Sequence, residues 1–197
     1  MEDCSDSRPV KVEIFQALKE KLNDNEPALG PLRRASVAVT FKDPDAPSVL
    51  LIKRADHASD PWSGQVAFPG GKSQEGDGTA KETAIREARE EVGIDLGEDA
   101  DFLGYFVSFR THTGTLDVTP AVFLTRRDVE VRPNEEVSSY HWIELEKLMA
   151  KQSRSTYRIG AGDETRETPA LLVDGLTVWG LTYRIISSIL GLSTPER

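Results

Sequence analysis

Residues 79–92, rich in Ala, Glu and Arg, can form little other than a helix, and Gly93 supplies the residue that stops one. At ~100° per residue, Glu87, Glu90 and Glu91 share one face, while Ala84, Ile85, Ala88 and Val92 centre roughly 120° away. One face can pack on a sheet while the other presents three carboxylates. Like charges this close repel, and each resists ionisation unless a cation or a basic partner compensates. Arg86 lies four residues before Glu90 and four after Glu82, so it can pair with either. All-oxygen donors without clustered His or Cys favour a hard divalent ion, so Mg2+ or Mn2+ is expected rather than Zn2+. The competing reading is a solvated face of Glu/Arg pairs, which is what most charge runs are.

The segments around this helix alternate in the manner of strands. Residues 35–41, 49–53, 102–109, 117–125 and 137–143 read as strands, and two more are expected near Tyr157 and Leu171. Residues 55–72 carry Pro61, Gly64, Pro69, Gly70 and Gly71 and read as mostly loop. A short helix is expected over residues 145–151, and a closing helix over residues 178–190 follows a turn at Asp174-Gly175. Residues 9–22 read as a first helix, with Ser7 as its cap, Pro9 in its first turn and Ile14, Phe15, Leu18 and Leu22 at helical spacing. It would pack on the domain or on a second subunit, so a homodimer is one expectation. The mixture predicts an α/β fold: a tail and helix over residues 1–32, one sandwich domain with a mixed sheet over residues 33–192, and a tail over residues 193–197.

Charge narrows the partners. The chain of 197 residues has a net charge of −9, and between Glu75 and Asp101 ten acids face three bases. A binder of phosphate backbones ordinarily carries the opposite sign, so nucleic acid is not an expected partner. The single cysteine, Cys4, allows no intrachain disulfide, and no basic-then-apolar leader opens the sequence. A reducing, cytoplasmic location is the expectation. The apolar stretch 170–192 is broken by Asp174-Gly175 and Arg184 and is too short to span a bilayer, so no membrane partner is expected.

With Gly70-Gly71-Lys72 upstream and Gly93-Ile94 downstream, the carboxylate helix resembles the Nudix box, Gly-x5-Glu-x7-Arg-Glu-U-x-Glu-Glu-x-Gly-U, where U is apolar. The second half matches at every position from Arg86 to Ile94, with Ala88 and Ile94 as U. In the first half, counted from Gly71, Asp77 stands at the Glu position, and the gap to Arg86 is eight residues instead of seven. Gly71-Lys72-Ser73 also looks like the end of a P-loop, but the Gly that motif needs five residues earlier is Val66. Further upstream, Leu50-Leu51-Ile52-Lys53-Arg54-Ala55 and Gly64-Gln65-Val66-Ala67-Phe68-Pro69-Gly70-Gly71 resemble the motif that precedes the box in coenzyme A pyrophosphatase-like Nudix proteins. Ile52 replaces that motif's Thr, and Asp60 stands where its second Arg would be.

The resemblance implies a Nudix-type α/β/α sandwich that hydrolyses a diphosphate linkage in a nucleoside diphosphate derivative, coenzyme A or a related compound. It implies that Glu87, Glu90 and Glu91, with the Gly70 carbonyl, hold Mg2+ or Mn2+. Arg86, Glu87, Glu90 and Glu136 would form the catalytic group, with Glu90 and Glu136 as candidate general bases and His112 as a third. Arg54, Gly71, Lys72, Arg110 and His112 are the expected contacts to a small-molecule substrate, and Trp62, in a loop, is the aromatic placed to stack on a base. Trp142 and Trp179 fall in predicted regular elements, where core packing is expected. Two alternatives stay open: the same chemistry on ADP-ribose, a dinucleotide or oxidised nucleoside triphosphates, and a non-catalytic nucleotide-sensing module.

Overall fold

The computed structural model describes residues 15–28, 33–42, 46–57, 62–160 and 165–192. Cys4, Ser7, Pro9, Pro44, Asp60, Pro61 and the tail 193–197 lie outside the described residues. Residues 15–19 are helical (α1). Then follow β1 (Arg33–Lys42), β2 (Ser48–Arg54), β3 (Val66–Ala67), β4 (Gly70–Lys72), α2 (Ala80–Val92), α3 (Leu96–Asp99), β5 (Ala100–Tyr105), β6 (Phe109–Arg110), β7 (Leu116–Thr125), β8 (Val137–Glu144) and α4 (Leu145–Met149). The chain closes with β9 (Arg154–Ile159), β10 (Arg166–Val173), β11 (Leu176–Trp179) and α5 (Gly180–Leu190).

Eight strands form one mixed sheet with the path β3-β2-β1-β7-β5, to which β4 adds on β1, β6 on β7 and β8 on β2. The parallel pair is β1 with β7, in register from Arg33↔Leu116 to Phe41↔Leu124. Side chains alternate across β1, and each face has its own core. On one face Ala38, Ala121, Phe123, Leu50 and Ile52 pack against Ala84, Ala88 and Val92 of α2. On the other, Val39, Phe41, Leu51 and Val122 pack against Leu148 of α4 and Ile185, Ile186 and Ile189 of α5. This second face is also covered by a three-stranded antiparallel sheet, β9-β10-β11, through Leu171, Val173 and Val178. The segment ahead of β1 joins the same core. Leu18 is buried, Phe15 meets Phe41 edge-on at 5.5 Å, and Lys21 donates to the carbonyl of Ile189 at 3.2 Å, near the end of α5.

The observed elements follow the expected ones with two corrections. Residues 55–72 are mostly loop among those described, as expected, and carry two short strands: β4 pairs with β1 from Ala35↔Lys72 to Val37↔Gly70, and β3 pairs with β2. Strands this short leave no periodicity to read, and only Gly permits the approach, because a Cβ on Gly70 would collide with the Ser36 carbonyl and Val37. The predicted strand 102–109 is split into β5 and β6. Its ladder with β7 breaks opposite Pro120, which has no N–H to give and only accepts, from the N–H of Phe106 at 2.9 Å. The closing helix starts at Gly180 rather than Val178, because Val178 and Trp179 complete the ladder with Leu171 and Ala170. The turn expected at Asp174-Gly175 joins β10 to β11 with φ of 49° and 79°, as a two-residue hairpin requires.

Phe123 is fully buried where β7 meets α2, so its truncation would leave a cavity in that core. Phe123→Ala should lower the unfolding free energy by about 3–5 kcal/mol in urea titration. Leu172→Ser, at a side chain 51% exposed on β10, should change it by less than about 0.5 kcal/mol.

Candidate active site

Helix α2 begins with a reciprocal cap. The Thr79 hydroxyl accepts from the Glu82 N–H at 3.2 Å, and the Glu82 carboxylate accepts from the Thr79 N–H at 2.9 Å. It ends at Gly93, whose φ of 70° closes the helix with N–H bonds to the carbonyls of Ala88 and Arg89. Gly93 has a second duty, because a Cβ there would press on Arg132. The chain after β7 crosses the helix end at this point, and the N–H groups of Arg132 and Asn134 donate to the carbonyls of Val92 and Glu91.

Strand β4 runs beside the carboxylates. The Gly70 N–H donates to Glu91 Oε2 at 2.9 Å, and a Cβ on Gly71 would strike the Glu87 carboxylate. The helical periodicity places Glu91 on one face with Glu87 and Glu90, but β4 covers it and leaves it 4% exposed. Burial pushes its carboxyl up to about 7, against the pull of the Gly70 N–H. Glu87 is also raised by burial, partly offset by Arg86, and the negative charge of Glu136 acts on both acids. Arg54 Nη1 stands 4.0 Å from Glu91 Oε1.

Arg86 is the hub. Its Nη1 lies 2.9 Å from both Glu87 Oε1 and Glu90 Oε2, and its Nη2 donates to the Lys72 carbonyl at 3.0 Å. Its Nε and Nη2 grip Asp77, with the shortest contact at 2.9 Å to Oδ2. Asp77 in turn accepts from the Gln74 N–H at 3.0 Å and from the hydroxyl of buried Thr83 at 3.1 Å. Sequence reading left Asp77 and Thr83 out of the site. Two signals were present: an acid six residues after Gly71, and a polar residue on the packing face of the helix.

The other expected residues divide. Trp62 lies in a turn before β3, 56% exposed, and its carbonyl accepts from the Gln65 N–H at 3.2 Å. The Gln65 carbonyl accepts from the Arg54 N–H at 3.0 Å, so the Trp62 turn is tied to the end of β2. Arg110 does not join the carboxylates: β1 and β7 separate β6 from β4, and Arg110 pairs with Asp117 at 3.1 Å. His112 is exposed in the turn beyond β6. Trp142 is partly buried with Lys42 above its ring, and Trp179 stacks on Tyr157 at 4.3 Å.

Among the described residues no three Asp, Glu, His or Cys side chains converge as a ready-made metal cage. Arg86 takes up Glu87 and Glu90, and Glu91 is held by Gly70. The donor chemistry nonetheless fits a hard cation. Its oxygens are carboxylates, and two of the acids are pushed up by burial, where a bound cation would favour their charged forms. Among the described residues no helix is long and apolar enough to cross a membrane.

An α/β sandwich with a carboxylate-bearing helix pinned under a Gly-Gly strand is the arrangement that the resemblance to the Nudix box implies. The NUDIX domain family model matches residues 31–159. The uncharacterized Nudix hydrolase NudL of Yersinia pestis (strain Pestoides F) is 33% identical over 155 residues, covering 78% of this chain and 76% of its own. A MutT/nudix family protein from Enterococcus faecalis superposes with TM-score 0.51 at 18% identity, over 94% of this chain and 72% of its own. The C. elegans Ap4A hydrolase does so with TM-score 0.50 at 20% identity, over 60% of this chain and 84% of its own. The chain belongs to the Nudix hydrolase family.

The Arg86 pair holds the Asp77 carboxyl below its ordinary value. A depressed folded-state pKa contributes stability that is present above the unfolded value and lost as pH falls through the folded one. Asp77→Asn should therefore lower the unfolding free energy by about 1.5–3 kcal/mol at pH 7. The deficit relative to the unsubstituted chain should shrink as urea titrations are moved from pH 5 towards pH 2.

Proposed function

We propose that this Nudix enzyme hydrolyses the diphosphate linkage of coenzyme A or a closely related nucleoside diphosphate derivative, with Mg2+ or Mn2+. The observation that carries the chemistry is the cluster of Glu87, Glu90 and Glu91 against β4, with the most buried acid pushed up by desolvation. Glu87, Glu90, Glu91 and the Gly70 carbonyl would hold the metal. A divalent ion held there would offset diphosphate charge and make an attacking water more acidic.

The remaining work falls to this chain's own groups. Arg86 keeps Glu87 and Glu90 oriented from one guanidinium. Glu136, whose charge reaches Glu87 and Glu91, is assigned the proton of the attacking water, taken on its carboxylate, with Glu90 the other candidate. Arg54 and Lys72 flank the cluster and suit phosphate oxygens, and the bare backbone of Gly71 lets the Glu87 carboxylate lie directly against β4. Trp62 offers an exposed ring for a base, held to the Arg54 end of β2 through Gln65.

The substrate assignment is supported by the segment from Leu50 to Gly71 that resembles the coenzyme A pyrophosphatase-like motif. Its departure at Ile52 falls in the core, where Ile52 is buried under α2. Product analysis should test coenzyme A, ADP-ribose, a diadenosine polyphosphate and an oxidised nucleoside triphosphate, each with Mg2+ or Mn2+. Release of 3′,5′-ADP from coenzyme A is expected; turnover of another compound alone would reassign the substrate, and silence throughout would favour a sensing module. Glu90→Gln should lower kcat at least about a hundredfold with the urea midpoint unchanged.

A further inference from the structure

Asn134 belongs to none of the motifs, yet its backbone and side chain join the two parts of the proposed site. Its N–H donates to the carbonyl of Glu91 at 2.9 Å, one of the carbonyls that the end of α2 leaves unpaired. Its side-chain Oδ1 accepts from the N–H of Glu136 at 2.9 Å, and its carbonyl accepts from the N–H of Val137 at 3.2 Å. Glu136 is then fixed from the far side, because its carbonyl accepts from the Ala55 N–H at 2.8 Å. Ser138 adds a hydroxyl bond to the Lys53 carbonyl at 3.0 Å. The Glu136 backbone is therefore clamped between α2 and the end of β2, although its own side chain is exposed and makes no part of the clamp.

We propose that Asn134 is a positioning residue: its Oδ1 sets the turn that presents Glu136, and not the adjacent Glu135, to Glu87 and Glu91. The inference rests on the catalytic assignment of Glu136. The charge of Glu136 acts on both Glu87 and Glu91, and Glu136 is the loop acid whose own N–H and carbonyl are both held, by Asn134 and by Ala55. An exposed acid on an unclamped loop would sample many directions, and small losses of alignment are costly in rate. Ala at position 134 keeps the backbone bond to Glu91 and deletes the acceptor, whereas Asp keeps both.

The test compares steady-state kinetics of Asn134→Ala, Asn134→Asp, Glu136→Gln and the Asn134→Ala/Glu136→Gln pair. Each is assayed at saturating Mg2+ on coenzyme A, or on ADP-ribose should coenzyme A prove inert. Asn134→Ala should lower kcat about tenfold or more with KM within about twofold, and Asn134→Asp should recover most of the loss. The double variant should be within about twofold of Glu136→Gln alone, since the lost function would be the same. Unchanged kcat in Asn134→Ala beside a slow Glu136→Gln overturns the inference and leaves the role of Glu136 standing. Multiplying effects, or an Asp variant as slow as Ala, also overturn it. An unimpaired Glu136→Gln overturns the assignment of Glu136 itself.

Discussion

Desolvation of one carboxylate sets the terms for the rest of the site. Glu91 is covered by β4, and an acid stripped of water in this way is expensive unless donors or cations compensate. The Gly70 N–H supplies one bond, and Arg54 stands at the edge of ion-pair range. For that N–H to reach Glu91, β4 must be squeezed between β1 and α2. Gly70 answers to β1, where a side chain would collide with Ser36 and Val37, and Gly71 answers to Glu87. Two adjacent residues without side chains thus satisfy two different neighbours. Substitution at either would reach Glu87 or Glu91 through the sheet.

Arg86 distributes what charge compensation the helix carries. A guanidinium presents five N–H groups in a rigid plane, and here they serve Asp77, Glu87, Glu90 and the Lys72 carbonyl. The departure of this chain from the box pattern falls at one of these partners. Asp77 is one methylene shorter than the Glu it replaces, and the loop leading to Arg86 is one residue longer. Asp77 nonetheless contacts Arg86, and the Gln74 N–H and Thr83 hydroxyl hold it there.

The long elements were legible because their periodicity is local: β1, β2, β7, β8 and α2 stand within a residue or two of expectation. What the chain does not write locally is which surface another segment will cover. Helical spacing put Glu91 among exposed acids, and only the long-range pairing of β4 with β1 buries it. Arg110 looked like a free phosphate contact because its partner Asp117 is fixed by the register of β6 on β7. Asn134 carried no signal, since its value lies in joining α2 to the loop before β8, two elements far apart in sequence.

The acidic excess between Glu75 and Asp101 is not one pool of charge. Asp95 pairs with Arg89, Asp99 with Arg127 and Asp101 with Arg126, so the α3 end of the stretch is matched by basic side chains. Asp77 has most of Arg86. Glu87, Glu90 and Glu91 are left to share the remaining Arg86 contacts and a distant Arg54, with Glu136 adding a fourth negative charge nearby. Arginines thus neutralise the acids that belong to the scaffold and leave the site short of positive charge. That shortage, rather than acidity as such, is what a divalent ion would fill, and with the ion in place the same surface would attract an anionic diphosphate.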